Sequence, residues 1–119
     1  MEKNIVVVDD ESRIRKIYKR LLSTAGFNVL EAANANSANE IVKHNKVDLV
    51  LLDIKMPEVQ GDILFEVLQA FHKQTKVLIT SVYPLEEQKR LAAGANDYYD
   101  KSQGLAVLLK KIHQLVSNS

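Results

Sequence analysis

The chain has 119 residues, 46% of them hydrophobic, with 16 Lys+Arg against 15 Asp+Glu and a formal net charge of +1. That length suits one domain whose core needs no disulfide or structural metal. The absence of cysteine excludes disulfide frameworks, cysteine-ligated metal centres and thiol nucleophiles.

The near-neutral balance argues against a nucleic-acid binder. The aliphatic run 5–8 is too short for a signal peptide, and Asp48 and Asp53 interrupt the apolar stretch 47–54. The expectation is a cytoplasmic protein with no membrane span and no nucleic-acid partner.

The hydrophobic period then changes regularly along the chain. Residues 5–8 form a continuous β-branched run, the pattern of a strand buried on both faces. Ile14, Ile17, Tyr18, Leu21, Leu22 and Ala25 recur at helical spacing, and Gly26 stands where a helix C-cap belongs. Residues 27–31 read as a short strand. Ser37 and Glu40 have capping-box spacing and would open a helix burying Ala38, Ile41 and Val42. Residues 49–52 are another buried strand. Leu64, Val67, Leu68 and Phe71 repeat the helical stripe, and residues 77–79 are a further aliphatic run. Pro84 suits the first turn of a weakly patterned helix through Leu85, Leu91 and Ala92 that stops at Gly94. Tyr98-Tyr99 is the last strand candidate. Leu105, Leu108, Leu109, Ile112, Leu115 and Val116 mark the final helix.

Strands alternating with amphipathic helices predict a parallel sheet covered on both faces, with right-handed crossovers. The short connections favour an α/β, flavodoxin-like doubly wound sheet of five strands in order 2-1-3-4-5 with five helices, filling residues 1–119 as one domain. Ligands of such sheets bind beyond the carboxyl ends of the strands, where strand order reverses. Asp9 and Asp10 leave the first strand there and Asp53 leaves the third, while Thr80-Ser81 and Lys101 leave the fourth and fifth. Three like charges in one crevice oppose folding, so neutralising Asp9 or Asp10 is expected to stabilise the metal-free chain. A hard divalent cation with oxygen ligands would relieve the repulsion, Mg²⁺ being usual where phosphate also binds. Taken by themselves, the Asp9-Asp10 pair and Asp53 read as readily as helix-cap or turn residues. The hydroxyl and lysine at the next two strand ends give the set its weight.

Four segments carry a family likeness: Val-Val-Val-Asp-Asp-Glu at 6–11, Asp-Leu-Val-Leu-Leu-Asp-Ile-Lys-Met-Pro at 48–57 with Gly61, Leu-Ile-Thr-Ser at 78–81, and Gly-Ala-Asn-Asp-Tyr-Tyr-Asp-Lys at 94–101. In order and spacing the sequence resembles the receiver domains of two-component response regulators over essentially its whole length. The resemblance implies that Asp53 is a nucleophile taking a phosphoryl group from a phosphohistidine on a sensor histidine kinase or histidine phosphotransfer protein. It implies that Asp9, Asp10 and Asp53, with the backbone carbonyl of Lys55, hold Mg²⁺, and that Lys101 sets a second positive charge on a phosphoryl oxygen. Thr80 would donate its hydroxyl to phosphorylated Asp53, with Ser81 as its substitute. Tyr98 matches the family's switch aromatic and would turn inward as Thr80 moves, reshaping a face that meets a downstream protein target. Tyr99, next along the strand, should point to the opposite face and pack.

On this reading the chain is a phosphoacceptor that catalyses only its own phosphorylation and dephosphorylation. It would serve as a single-domain regulator or phosphorelay intermediate, or as a receiver belonging to a larger regulator or hybrid kinase.

Several positions depart from the family pattern. Ser102 replaces the usual proline after the lysine, where a cis peptide is typical; a non-proline cis bond costs roughly 2.5–4 kcal/mol, so a trans bond is the cheaper expectation. The stretch between Thr80 and Lys101 is one residue short. Neither Lys55, two past Asp53, nor Val82, two past Thr80, suits the orientation of a hydrolytic water, which favours a long-lived phosphoryl group.

Arg13, Arg15, Lys16, Lys19 and Arg20 read first as a solvated basic face and second as a dock for a phosphodonor. His44, His72 and His113 are isolated surface residues, and Met56 reads as loop packing. A non-phosphorylated interaction module is the alternative class, disfavoured because every acidic, hydroxyl and lysine position is filled. Flavin binding is disfavoured by the carboxylates after the first strand. A dehalogenase-type phosphatase would need an acid two residues past Asp53.

Overall fold

The computed structural model describes residues 2–54 and 61–117, with Gly61 and Asp62 described in backbone only. Lys55, Met56 and Pro57 lie outside the described residues. The chain runs β1 (Asn4–Val8), α1 (Ser12–Thr24), β2 (Asn28–Ala32), α2 (Ala35–His44), β3 (Leu49–Asp53), α3 (Gly61–Phe71), β4 (Lys76–Ser81), α4 (Leu85–Leu91), β5 (Asp97–Asp100), a 3₁₀ turn (Lys101–Gln103) and α5 (Leu105–Ser117). The five strands form one parallel sheet in the order β2-β1-β3-β4-β5, as the sequence pattern predicts.

Because side chains alternate along a strand, each central strand feeds two cores. Val6, Val8, Val50, Leu52, Val77 and Ile79 pack on one face with Ala38 and Val42 of α2 and Leu64, Phe65 and Leu68 of α3. Ile5, Val7, Leu49, Leu51 and Leu78 pack on the other with Tyr18 and Leu22 of α1 and Leu108, Ile112 and Val116 of α5. That two-sided burial explains why β1 and β3 read as unbroken aliphatic runs instead of alternating ones.

The helix ends correct the sequence expectations in places. Gly26, at φ +96°, ends α1 as foreseen: its N–H donates to the Ser23 carbonyl and that of Phe27 to Leu22, closing a Schellman turn. Ser37 does not cap α2. Asn34 does, its side-chain oxygen accepting the Ser37 N–H at 2.8 Å, so Ser37 sits inside the first turn as the capped donor. Phe71 leaves the predicted stripe and is 78% exposed. Phe65, beside Leu64, takes the core position, while Phe71 ends α3 and lines an open groove with Lys3, Lys46 and His72. Pro84 stands at the N-cap of α4 instead of in its first turn, with an extended ψ of 155°. The residue α4 buries is Gln88, not Leu91.

Asn34→Ala is expected to cost about 1 kcal/mol in urea unfolding, the usual worth of an N-cap acceptor. Ser37→Ala should change the midpoint by less than about 0.5 kcal/mol, and the reverse order would contradict this assignment of the cap.

Candidate functional site

Strand order reverses between β1 and β3, and the two connections leaving these strands part to opposite faces of the sheet. Asp9 directly follows β1, its N–H extending the ladder to the Ala32 carbonyl at 3.1 Å. Asp53 is the last residue of β3, and Lys101 opens the turn after β5. The side chains converge. Lys101 Nζ donates to Asp9 Oδ2 at 2.8 Å and to Asp53 Oδ2 at 3.1 Å. Asp9 is 1% exposed and Asp53 4%, so both carboxylates meet the ammonium out of water.

The rest of the site follows from this pairing. Asp9 Oδ1 accepts the Glu11 N–H at 2.9 Å, which fixes the carboxylate at the entry to α1. Asp10 is exposed, yet Asp9, Asp10 and Asp53 each place a carboxylate oxygen within 4.8 Å of the others. Such an all-oxygen donor set fits a hard divalent cation and suits a soft metal poorly. The Lys55 carbonyl expected to join it lies outside the described residues.

Burial alone would pull the Lys101 ammonium down. The Asp9 hydrogen bond and the charges of Asp53 and Asp9 outweigh it and hold the pKa above the ordinary lysine value. Beneath the site, burial is the largest cause pushing the Tyr18 phenol up to about 12, opposed by the Lys101 charge and reinforced by Asp9 and Asp53.

The two hydroxyls at the end of β4 face opposite ways. Thr80 is in register with Asp53 and with Tyr99, on the α1 and α5 side of the sheet. Ser81 follows on the other side, sharing the face of Ile79 and Tyr98, and its Oγ accepts the Tyr83 N–H at 3.2 Å. Thr80 and Tyr98 are thus separated by the sheet, because they stand at positions of opposite parity in paired strands. Ser81, the neighbour of Thr80 in β4, is the hydroxyl that shares the face of Tyr98. Tyr98 is half-buried, its hydroxyl donating to the Ala92 carbonyl just past α4 at 2.7 Å. Tyr99 is buried on the opposite face, as expected.

Sequence reasoning missed two residues. Arg15, read as part of a surface stripe, turns inward: Nη1 donates to the Asp9 carbonyl at 2.7 Å and Nε pairs with Glu31 at 3.2 Å. Its spacing, six residues past Asp9, was the available signal. Gln88 is fully buried, and its amide nitrogen donates to the carbonyls of Tyr83 at 2.7 Å and Tyr99 at 3.0 Å. Nothing in a weak helical pattern announces it. Arg13, Lys16 and Arg20 stay outside, rimming a groove of about 800 Å³ floored by Ile17, Leu21, Leu105 and Leu109 between α1 and α5. The Lys101–Ser102 bond is trans, as are the other described peptide bonds.

With this geometry in hand, the comparisons with known proteins agree. The family model for the response regulator receiver domain matches residues 5–113. The transcriptional regulatory protein SrrA of Staphylococcus aureus is 36% identical over 104 residues, covering 85% of this chain and 42% of that protein, so the chain spans less than half of its relative's length. A CheY-like receiver domain protein from Methanospirillum hungatei JF-1 superposes with a TM-score of 0.91 at 28% identity, covering 99% of this chain and 96% of that one. The Thermotoga maritima response regulator TrrA, solved in complex with Mg²⁺ and BeF, gives a TM-score of 0.87 at 30% identity, covering 95% and 98%.

The Lys101 bridge predicts the opposite of what simple repulsion does for Asp9. Asp9→Asn should lower stability in chelator by about 1–3 kcal/mol, because it removes an acceptor that the buried ammonium uses, while exposed Asp10→Asn should change it by less than about 0.5 kcal/mol. Urea midpoints of the two variants decide it; a more stable Asp9→Asn would restore the repulsion account.

Tyr18 and Lys101 both hold protons more tightly folded than unfolded. Stability should therefore stay level up to about pH 10, where the unfolded groups begin to titrate, and fall as pH rises through the Tyr18 value. Tyr18→Phe should flatten that alkaline slope in urea titrations run from pH 8 to 12.

Proposed function

As the chain belongs to the response regulator receiver domain family of two-component systems, we propose that Asp53 accepts a phosphoryl group from the phosphohistidine of a sensor kinase or phosphotransfer protein. The observation that carries this reading is the Lys101 ammonium shared between two buried carboxylates at the point where strand order reverses. A carboxylate oxygen of Asp53 attacks phosphorus in line, the P–N bond to the donor imidazole breaks, and the imidazole leaves with its electron pair. Lys101 then turns from carboxylate to phosphoryl oxygen, keeping the charge it already supplies. Asp9, Asp10 and Asp53, with the Lys55 carbonyl, would hold Mg²⁺. The ion supplies, when bound, positive charge to the phosphoryl oxygens during transfer.

Two hydroxyls are candidates for the phosphoryl group, Thr80 and Ser81. Thr80 lies on the face of Asp53 and Ser81 on that of Tyr98, so a movement of the end of β4 that draws Thr80 to the phosphoryl group would carry Ser81 with it and reach Tyr98 and α4. Thr80 keeps its proposed place beside Asp53, its register partner on the neighbouring strand.

The groove between α1 and α5 suits the phosphodonor: it has an apolar floor, a basic rim and one end at Arg13, in the first turn of the helix that follows Asp9 and Asp10. Output passes by contact of the Tyr98 face with a downstream protein in the cytoplasm. The 42% coverage of SrrA supports the second reading, in which this receiver serves a longer regulator.

Incubation with acetyl phosphate and Mg²⁺ should add about 80 Da, one phosphoryl group, to the intact mass. The gain should vanish in Asp53→Asn and persist, more slowly, in Asp9→Asn. No gain from any small donor or from a phosphotransfer protein would leave the interaction-module reading in its place. Thr80→Val should still accept the group yet lose the phosphorylation-dependent shift of the Tyr98 resonances.

A further inference from the structure

Lys101 reaches the site on a flexible four-carbon stem, so its aim depends on how its backbone is held. Its support is slight. β5 is a four-residue edge strand with a partner on one side only, and no proline stiffens the turn that follows. In place of a proline, the turn is closed by its own side chains. Asp100 Oδ1 accepts both the Ser102 N–H at 2.9 Å and the Ser102 hydroxyl at 2.8 Å. In return the Gln103 side-chain oxygen accepts the Asp100 N–H at 3.1 Å, completing a reciprocal capping box around Lys101. Gly104, at φ +93°, then lets the chain leave the turn into α5. The Ser102 N–H, followed by its hydroxyl, holds the Asp100 carboxyl below its ordinary range, so the acceptor stays ionised at neutral pH. Behind the clamp, Gln88 Nε2 fixes the Tyr99 carbonyl and Lys111 Nζ the Tyr98 carbonyl at 2.6 Å.

We propose that Asp100, Ser102 and Gln103 form a side-chain clamp that sets the reach of Lys101 toward the phosphoryl group, a role this chain gives to hydrogen bonds instead of a proline ring. The proposal rests on Asp53 being the phosphoacceptor. The three are positioning residues, acting through Lys101 without touching the reacting atoms. Only Asp100 carries charge among them, and its amide variant preserves the oxygen that the clamp requires.

The test is a double-mutant cycle on the rate of phosphorylation by acetyl phosphate at saturating Mg²⁺, read by intact mass. Asp100→Ala should slow phosphorylation about 5- to 20-fold, the range of one or two capping hydrogen bonds. Asp100→Asn should recover most of the rate. In a Lys101→Ala background, Asp100→Ala should have no further effect, because the group it aims is gone.

Equal slowing in both backgrounds would mean a general loss of structure and would overturn the proposal. So would an unchanged rate in Asp100→Ala. Both outcomes leave wild-type phosphorylation standing, whereas a wild type that takes no phosphoryl group defeats the underlying reading first. Thermal melts of every variant, and the protection of the Lys101 ammonium resonance, separate aim from folding: the clamp predicts lost protection in Asp100→Ala well below its melting temperature.

Discussion

The ammonium of Lys101 between Asp9 and Asp53 is the constraint around which the rest of the chain is arranged. Two carboxylates nearly shut off from water would each cost several kcal/mol if left unpaired. One cation shared by both offsets that cost, and it comes from the far edge of the sheet. The pairing therefore ties β1, β3 and β5 together at their carboxyl ends, across 92 and 48 residues of sequence. On the proposed function, a phosphoryl group arriving at Asp53 would enter a place where positive charge is already fixed, which is how preorganised sites lower a barrier.

Support for that pairing is layered behind it. Arg15 holds the Asp9 carbonyl from α1 and is itself held by Glu31, so the acidic loop is braced from two elements. On the opposite side, Gln88 binds α4 to the β4–α4 connection and to β5 with one amide group. Its side-chain oxygen is the one buried side-chain polar atom without a partner among the described residues. A buried orphan acceptor costs on the order of 1–3 kcal/mol, so the short α4 is stabilised less than its contacts suggest.

The two faces of the sheet divide the labour. Alternation sends Asp53, Thr80 and Tyr99 toward α1 and α5, and Ser81 and Tyr98 toward α4. One residue of register separates a hydroxyl on the face of Asp53 from a hydroxyl on the face of Tyr98. Adjacent positions in β4 therefore belong to different halves of the molecule.

What the sequence determined by itself was whatever depends on period and order. Aliphatic runs separated by helical stripes led to the sheet order, and the strand ends then brought Asp9, Asp10, Asp53 and Lys101 together without any coordinates. These features are legible because the two cores repeat along the chain and each site residue directly follows a strand. The contacts of individual side chains were decided only by the tertiary structure. Arg15 turned inward toward Asp9, Gln88 became buried against β5, Asn34 displaced Ser37 as cap, and Thr80 and Ser81 were divided between the two faces of the sheet. Each outcome turns on a rotamer, a cap or a one-residue parity that hydrophobic patterning does not encode. The same holds for the repulsion expected among the three carboxylates. The sequence shows three negative charges meeting; only the fold shows how close the lysine comes, and the distance decides the sign.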